Sequence, residues 1–321
     1  MAIGILGLDS YLPDRVVTNA EVADWAGTTE EWIKATTGVE ERRYAAAEEA
    51  TSDLAVAAAL KVLDEETRGN LAAIVLATST PDQPQPATAA LVQRKLGLPG
   101  VPAFDLNAVC SGFLYALTVA EAVLARWSPE ARALVIGADK YSTIMNRADR
   151  RTVSLFGDAA GTVVLGRVPD GFGIQAAHLV TDGQYSEMIE VRAGGTRMPD
   201  GTPEERLFRM NGFTVREYVL NALPKAVRQV LDETGTALGE IDRFVLHQAN
   251  PYLVESCAAE LGVPLEKFPL TCVELGNTAV ASVPVTLAAA HRQRPLRRGE
   301  RILLASVGGG LSTGVVLLTW Y

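Results

Sequence analysis

Five landmarks in the first half of this chain return in the second half, in the same order. Val62-Leu-Asp-Glu and the apolar run Ile74-Val-Leu76 return as Val230-Leu-Asp-Glu and Phe244-Val-Leu246. Leu96-Gly-Leu-Pro99 returns as Leu261-Gly-Val-Pro264, the run at Leu134 as Ile302-Leu-Leu304, and Gly161-Thr-Val-Val-Leu165 as Gly314-Val-Val-Leu317. The spacings at Leu76, Leu96 and Leu134 are 170, 165 and 168 residues. Landmarks kept in order at nearly one offset imply a duplicated chain. The fold expected is α/β, with two similar halves meeting along a pseudo-twofold axis. Residues 1–167 form one half and 168–321 the other, each long enough to bury a core. In open α/β sheets, sites form where strands end and helices begin. The repeat brings both sets of ends to the same place.

One such end carries a thiol. The β-leaning stretch Val101 to Leu106 runs into Cys110-Ser-Gly112. Helical spacing then begins at Phe113, Leu114, Leu117 and Ala120. Cys110 therefore sits at or near the first turn of a buried helix. Free N–H groups and the positive dipole end collect there. They are expected to favour the thiolate, which is the nucleophilic form. A lone cysteine among apolar residues also reads as a small buried hydrophobe. The repeat adds two partners. By its offset, the place equivalent to Cys110 falls near Gly276-Asn277, and the residue equivalent to Ala77 is His247. Each alone has a plain reading, His247 as a satisfied structural group and Asn277 as a turn residue. Cys, His and Asn brought together by a duplication make a nucleophilic site.

The rest of the chain supplies scaffolding. Thr29 is expected to cap a helix through Trp32, and Thr51-Ser52 another through Leu63. Asn19 is a further candidate cap. Ala73–Thr78 and Ala133–Ala138 read as buried strands. Residues 302 to 321 carry no charge, but Gly308, Gly309, Gly310 and Gly314 split them into strand, turn and strand rather than a membrane span. A net charge of -9 argues against nucleic acid or an anionic membrane as the main partner. The three cysteines are irregularly spaced, which suits neither a disulfide framework nor a zinc site, and fits a reducing cytoplasm. The N-terminus lacks a basic leader, so no signal peptide is expected.

Asp105-Leu-Asn-Ala-Val-Cys110-Ser-Gly-Phe113, His247-Gln-Ala-Asn250, Gly276-Asn-Thr278 and Gly308-Gly-Gly310 together resemble the β-ketoacyl-[acyl-carrier-protein] synthase III family of thiolase-fold condensing enzymes. Ser10-Tyr-Leu-Pro13, Thr37-Gly-Val-Glu-Glu-Arg42, Phe156-Gly-Asp158 and His178-Leu-Val-Thr-Asp182 extend the likeness over essentially the whole chain. The resemblance implies a thiolase-like fold in five layers, α-β-α-β-α. It implies that Cys110 accepts an acyl group from coenzyme A or a carrier, and that a malonyl-carrier thioester then loses carbon dioxide and attacks it. Decarboxylation builds an enolate, which needs hydrogen-bond donors. His247 and Asn277 are implied as those donors, and the backbone N–H groups of Cys110 and Gly309 as the oxyanion hole for the acyl carbon. Trp32 is implied to stack on the coenzyme A adenine with Arg150 on its other side, and Gln248 to lie along the donor arm. Thioesters serve as substrates, with no resident cofactor or metal. The partners implied are an acyl carrier protein and a second copy of the chain, a homodimer. Fatty-acid initiation and polyketide starter chemistry both use such an enzyme.

Departures from the family pattern lie around the donor tunnel. Thr36 and Tyr252 stand where arginines are expected, and Phe213 and Glu217 where polar and basic residues are expected. Charge-assisted contacts of ~1.5–3 kcal/mol each would be lost there, weakening coenzyme A or carrier binding. Val307 replaces a usual phenylalanine, and Gln83-Pro-Gln-Pro86 replaces a loop that bounds the acyl pocket across a dimer interface. A pocket of altered size follows as an expectation. Three other readings stand beside this one. The first is a same-fold acyltransferase forming an ester or amide without decarboxylation. The second is a Cys/His/Asn hydrolase, against which the repeat and the glycine triplet count. The third is a non-catalytic subunit, against which intact Cys110, His247 and Asn277 count.

Overall fold

The computed structural model describes residues 2–321. One sheet runs, in spatial order, Ala2–Tyr11, Ala159–Val168, Arg132–Asp139, Leu71–Ala77 and Ala103–Leu106. The second runs Gly173–Thr181, Ser312–Thr319, Arg301–Gly308 and Arg243–Leu246. Order and sense agree. Leu71–Ala77 pairs parallel with Arg132–Asp139, as Arg243–Leu246 does with Arg301–Gly308. The remaining pairs of the repeated four strands are antiparallel in both sheets. The strand Ala103–Leu106 has no counterpart in the second sheet, and the residues 170 positions on begin in the short helix Cys272–Leu275.

Strand alternation sorts the apolar residues into layers. Ala73, Val75 and Ala77 face a central cluster, while Ile74 and Leu76 face the opposite side. Ile302 and Leu304 likewise face the central cluster, and Leu303, Ala305 and Val307 face outward. Runs covered on both faces read as continuous apolar stretches, which is why the sequence shows them so plainly. The central layer holds the helices Gly112–Leu124 and Ser282–Gln293, contributing Phe113, Leu117, Val283 and Leu287. Outer helices Thr51–Ala59 and Thr88–Lys95 cover the first sheet, and Gly212–Thr234 and Pro251–Leu261 the second. The result is five layers, α-β-α-β-α. Phe113 and Leu117 are fully buried, each worth roughly 1.5–3 kcal/mol of transfer free energy.

Glycine lets the central layer close up. A Cβ on Gly161 would lie 2.7 Å from Pro284 Cβ and 2.8 Å from Val285 N. The helix Ser282–Gln293 can thus lie directly on the first sheet. Two expected caps differ. The Thr51–Ala59 helix is capped by the Asp53 carboxylate accepting from Ala50 N (2.9 Å), because Thr51 donates to Thr80 O and Ser52 to Asp82. It ends before Leu63. Asn19 is buried as the first residue of its helix, which Thr18 caps, and its amide donates to Val39 O. Thr29 does cap as expected, accepting from Trp32 N.

Candidate active site

Each central helix is entered through the same strained turn. Val109 and Ala279 are the two non-glycine residues with positive φ among the described residues, both at 48°. They are 170 residues apart. In both turns an asparagine side chain bonds the backbone two residues on: Asn107 Oδ1 accepts from Val109 N (3.0 Å), and Asn277 Oδ1 from Ala279 N (2.9 Å). A 3₁₀ turn and a long helix follow each. Such backbone costs of order 1–3 kcal/mol and is held by its surroundings. The true register of the repeat at the site is therefore 170, which corrects the sequence-based pairing. Val280, not the Gly276-Asn277 pair, is the counterpart of Cys110, and Asn277 is the counterpart of exposed Asn107. The two halves use different members of the same turn. One presents its thiol and the other its carboxamide.

Cys110 is 6% exposed and faces a pocket that His247 and Asn277 also line. The three expected side chains thus converge. The thiol, however, is pushed well above its ordinary range, first by burial and then by the nearby Asp139 carboxylate. Its own backbone N–H opposes the shift. The expected resting thiolate is not supported, because desolvation outweighs the helix terminus. Asp139 was not anticipated. Its carboxylate accepts from Ser79 N (2.8 Å), Thr78 Oγ1 (3.0 Å), Thr80 Oγ1 (2.9 Å) and Val280 N (3.1 Å). It fastens two strand exits of the first half to the Asn277 turn of the second. A lone carboxylate ending the apolar run Ala133–Ala138 was the available signal.

His247 leaves the strand Arg243–Leu246 and meets Ser282, the first residue of a central helix. Nδ1 lies 2.6 Å from Ser282 Oγ, which also accepts from Gln248 N (3.3 Å). A hydroxyl that donates to Nδ1 leaves the ring N–H on Nε2. Burial lowers the His247 pKa to about 4, so the ring is neutral near pH 7. Asn277 spends its oxygen on Ala279 N and keeps its NH₂ to donate. The reacting end of the pocket therefore holds the Cys110 thiol beside two side chains, His247 and Asn277, that stay neutral near pH 7.

Burying neutral His247 makes folding acid-sensitive. The unfolded ring binds its proton below about 6.5, the folded ring only below about 4. Stability is complete above 6.5 and falls as pH drops through 4, by about 3 kcal/mol for this group. His247→Gln is expected to remove that part of the slope. Urea midpoints at pH 7 and pH 4.5 for both proteins check it, and equal slopes would refute the neutral burial.

The glycine triplet closes the site from the other half. A Cβ on Gly308 would lie 2.6 Å from Ala108 O and 2.9 Å from Cys110 N. A Cβ on Gly309 would lie 3.2 Å from Val109 Cγ2 and 3.3 Å from Ile189 Cγ2. Ser306 Oγ donates to Cys110 O (2.9 Å), and Ser312 Oγ to Ala108 O (3.1 Å), locking the nucleophile turn to the second sheet. Three expected donor-binding residues fare differently. Gln248 is 1% exposed, donates to Leu246 O (3.0 Å), and accepts from Thr271 N (3.0 Å). It points away from the pocket because side chains alternate at a strand exit. Its role is structural. Trp32 and Arg150 do meet, with the guanidinium 4.5 Å above the ring, but neither lines the pocket. Arg150 covers one face of the indole. Val307 lines the pocket, whereas Gln83–Pro86 does not within one chain. Tyr252 donates to Lys34 O (3.1 Å), bridging to the helix that carries Trp32.

Residues 104–183 match the family description "3-Oxoacyl-[acyl-carrier-protein (ACP)] synthase III", and residues 231–320 its C-terminal counterpart. The chain is 44% identical to "Acetoacetyl CoA synthase NphT7" of Streptomyces sp. (strain CL190), with 98% of each chain covered. It is 43% identical to "Beta-ketoacyl-[acyl-carrier-protein] synthase III" of Laribacter hongkongensis, again over 98% of each. The crystal structure of β-ketoacyl-[acyl carrier protein] synthase III from Thermus thermophilus superposes with a TM-score of 0.93 at 37% identity, covering 99% of both chains.

Proposed function

Because this chain belongs to the 3-oxoacyl-[acyl-carrier-protein] synthase III family, we propose that Cys110, His247 and Asn277 are the residues with which it joins an acyl thioester to a malonyl thioester. The enzyme is an acyltransferase that catalyses a decarboxylating Claisen condensation. Its substrates are thioesters of coenzyme A or a carrier protein, and the reaction needs no resident cofactor. What supports the assignment of roles is the convergence of the Cys110 thiol with neutral His247 and Asn277 in one apolar pocket.

In the first stage Cys110 Sγ attacks the donor carbonyl. A new S–C bond forms, the donor S–C bond breaks, and the thiol proton ends on the departing thiol. A thiol with a raised pKa gives up its proton during the attack rather than beforehand. Backbone N–H groups of Cys110 and Gly309 hold the oxyanion. In the second stage the malonyl carboxylate enters a pocket whose other lining residues are apolar and offer it no cation. Its C–C bond breaks, carbon dioxide leaves, and the electron pair becomes an enolate. His247 Nε2–H and Asn277 Nδ2–H hold the enolate oxygen. The carbanion attacks the acyl carbon, and the tetrahedral centre expels Cys110 as thiolate, which takes a proton from solvent water; that proton is the one the decarboxylation consumes overall. Trp32 and Arg150 belong to the proposal as the donor's adenine site, reached once the guanidinium moves off the ring.

A homodimer of two-half chains divided at 167/168 completes the reading, placed in the cytoplasm. Three buried free thiols suit that compartment, and no helix among the described residues is long and apolar enough to cross a membrane. Intact mass after incubation with acyl thioesters tests the scheme, with carbon dioxide release from a malonyl thioester followed in parallel. One acyl adduct at Cys110 and acyl-dependent product are expected; native mass in the same experiment reports the dimer. Hydrolysis without a lasting adduct would sink the scheme.

A further inference from the structure

Val280 N is the pseudo-symmetric counterpart of Cys110 N, one of the two N–H groups given to the acyl oxyanion in the proposed reaction. Unlike that group it is already taken: it donates to Asp139 Oδ2 (3.1 Å). The sheets explain the difference. Leu76 pairs with Ile136, and its repeat partner Leu246 pairs with Ala305. Three residues on from each lie Asp139 and Gly308, so these two are counterparts at the ends of equivalent strands. Gly308 faces the Cys110 turn, where a Cβ would lie 2.9 Å from Cys110 N. Asp139 faces the Val280 turn and puts a carboxylate there. One half thus keeps its N–H for the substrate's oxygen, and the other closes the equivalent N–H with an acid of its own.

The acid is fully buried. Oδ1 accepts from Ser79 N (2.8 Å), Thr80 N (3.1 Å), Thr78 Oγ1 (3.0 Å) and Thr80 Oγ1 (2.9 Å). Ser79 Oγ lies 3.2 Å from both oxygens, and Oδ2 takes Val280 N. The turn it grips is pinned at both ends. At its start Asn277 N donates to Leu155 O (2.7 Å) and Gly157 N to Asn277 O (3.0 Å). At its end stands Asp139. Between them Ala279 is held at a φ of 48°, a conformation that persists only where its surroundings impose it. Ala279 N in turn donates to Asn277 Oδ1 (2.9 Å), which fixes where the carboxamide NH₂ points. We infer that Asp139 is a positioning residue for decarboxylation: through Val280 N and the Ala279 turn it aims the Asn277 donor at the enolate. Acylation, in which Asn277 takes no part, does not need it. This inference rests on the role proposed for Asn277.

Asp139→Asn cuts the link at one atom. The amide keeps an oxygen for the donors at Oδ1, and its NH₂ then meets Val280 N, donor against donor. Two rates are measured on the full-length enzyme. One is acylation of Cys110, by intact mass, with whichever acyl-coenzyme A loads the unmutated enzyme fastest. The other is carbon dioxide release, with malonyl-coenzyme A and malonyl-carrier protein both supplied. The kcat for carbon dioxide release is expected to fall roughly 10- to 100-fold, the scale of a misplaced catalytic group, with KM for the malonyl thioester within about twofold. Acylation is expected at the parent rate or above, because the Asp139 charge raises the Cys110 thiol and its loss favours attack. Added to Asn277→Ala, the same substitution is expected to slow decarboxylation by less than about twofold more, since a donor already removed cannot be mis-aimed. Thr78→Val strips one donor from Oδ1 and leaves the charge. It carries the test should Asp139→Asn not fold, with carbon dioxide release expected to slow about threefold and acylation to hold. Parent-like carbon dioxide release in Asp139→Asn, or in Thr78→Val where that variant stands in, overturns the inference alone. So do an equal fall in both steps and effects of Asp139→Asn and Asn277→Ala that multiply. An unmutated enzyme not acylated at Cys110, or Asn277→Ala decarboxylating at the parent rate, overturns the parent reading and this one with it.

Discussion

Cys110→Ala is expected to abolish the acyl adduct and lower condensation roughly 10⁶-fold, the scale seen when a nucleophile that acts as a unit with its partners is removed. The sulfur is the atom that forms the covalent intermediate, and no other group lining the pocket near His247 and Asn277 replaces it. Cys257 lines the same pocket, but burial raises its thiol to about 12, and it sits in the outer-layer core. The substitution leaves the turn intact. Val109, Ser111 and Ser306 bond through backbone or their own side chains, and Ser306 reaches Cys110 through its carbonyl. The variant should therefore fold, with a melting temperature near that of the parent. Intact mass after acyl-thioester incubation and assay of the β-keto product check the prediction. An adduct persisting in Cys110→Ala would move the nucleophile elsewhere.

Asn277→Ala is expected to cut carbon dioxide release by about 10²–10³, the usual effect of losing one oxyanion donor. Acylation of Cys110 should survive, since the enolate forms only in the second stage. Alanine also deletes the bond that Asn277 Oδ1 accepts from Ala279 N, so a fall in rate alone would confuse donor with turn. Asn277→Asp separates them. Aspartate keeps an oxygen for Ala279 N but offers no N–H and sets a negative charge against the enolate. It should be at least as slow as alanine while staying closer to the parent in thermal stability. Decarboxylation near the parent rate in Asn277→Asp would remove the donor role and leave Asn277 as a turn residue.

Much of this site was legible before folding was considered. The apolar runs Ile74–Leu76 and Phe244–Leu246, the Cys110 corner and the glycine triplet are local signals, and the duplication multiplied them. Tracking the offset through the chain placed His247 correctly, because a strand end is marked by the run that precedes it. The same offset missed the counterpart of Cys110 by a few residues. Loops between the landmarks differ in length, so the sequence offset drifts from 165 to 170. The twin Asn turns at Val109 and Ala279 settle the register at 170 because backbone conformation is repeated where side chains have diverged. Gln248 misled for a related reason. A motif names its neighbours without saying which face of a strand exit each one takes.

The sequence alone determined that the chain is a duplicated α/β protein, which residue types gather where its halves meet, and the family to which they belong. Those properties rest on periodicity, turn chemistry and spacing, which are written residue by residue. The tertiary structure decided the protonation of the site and the reach of its pocket. Cys110 is held as a thiol, and His247 as a neutral ring fixed by Ser282. Asp139 ties the halves together, and the pocket runs on to Cys257. Burial sets each of these. Desolvation is the summed exclusion of water by elements far apart in the chain, and no local stretch of residues carries that sum.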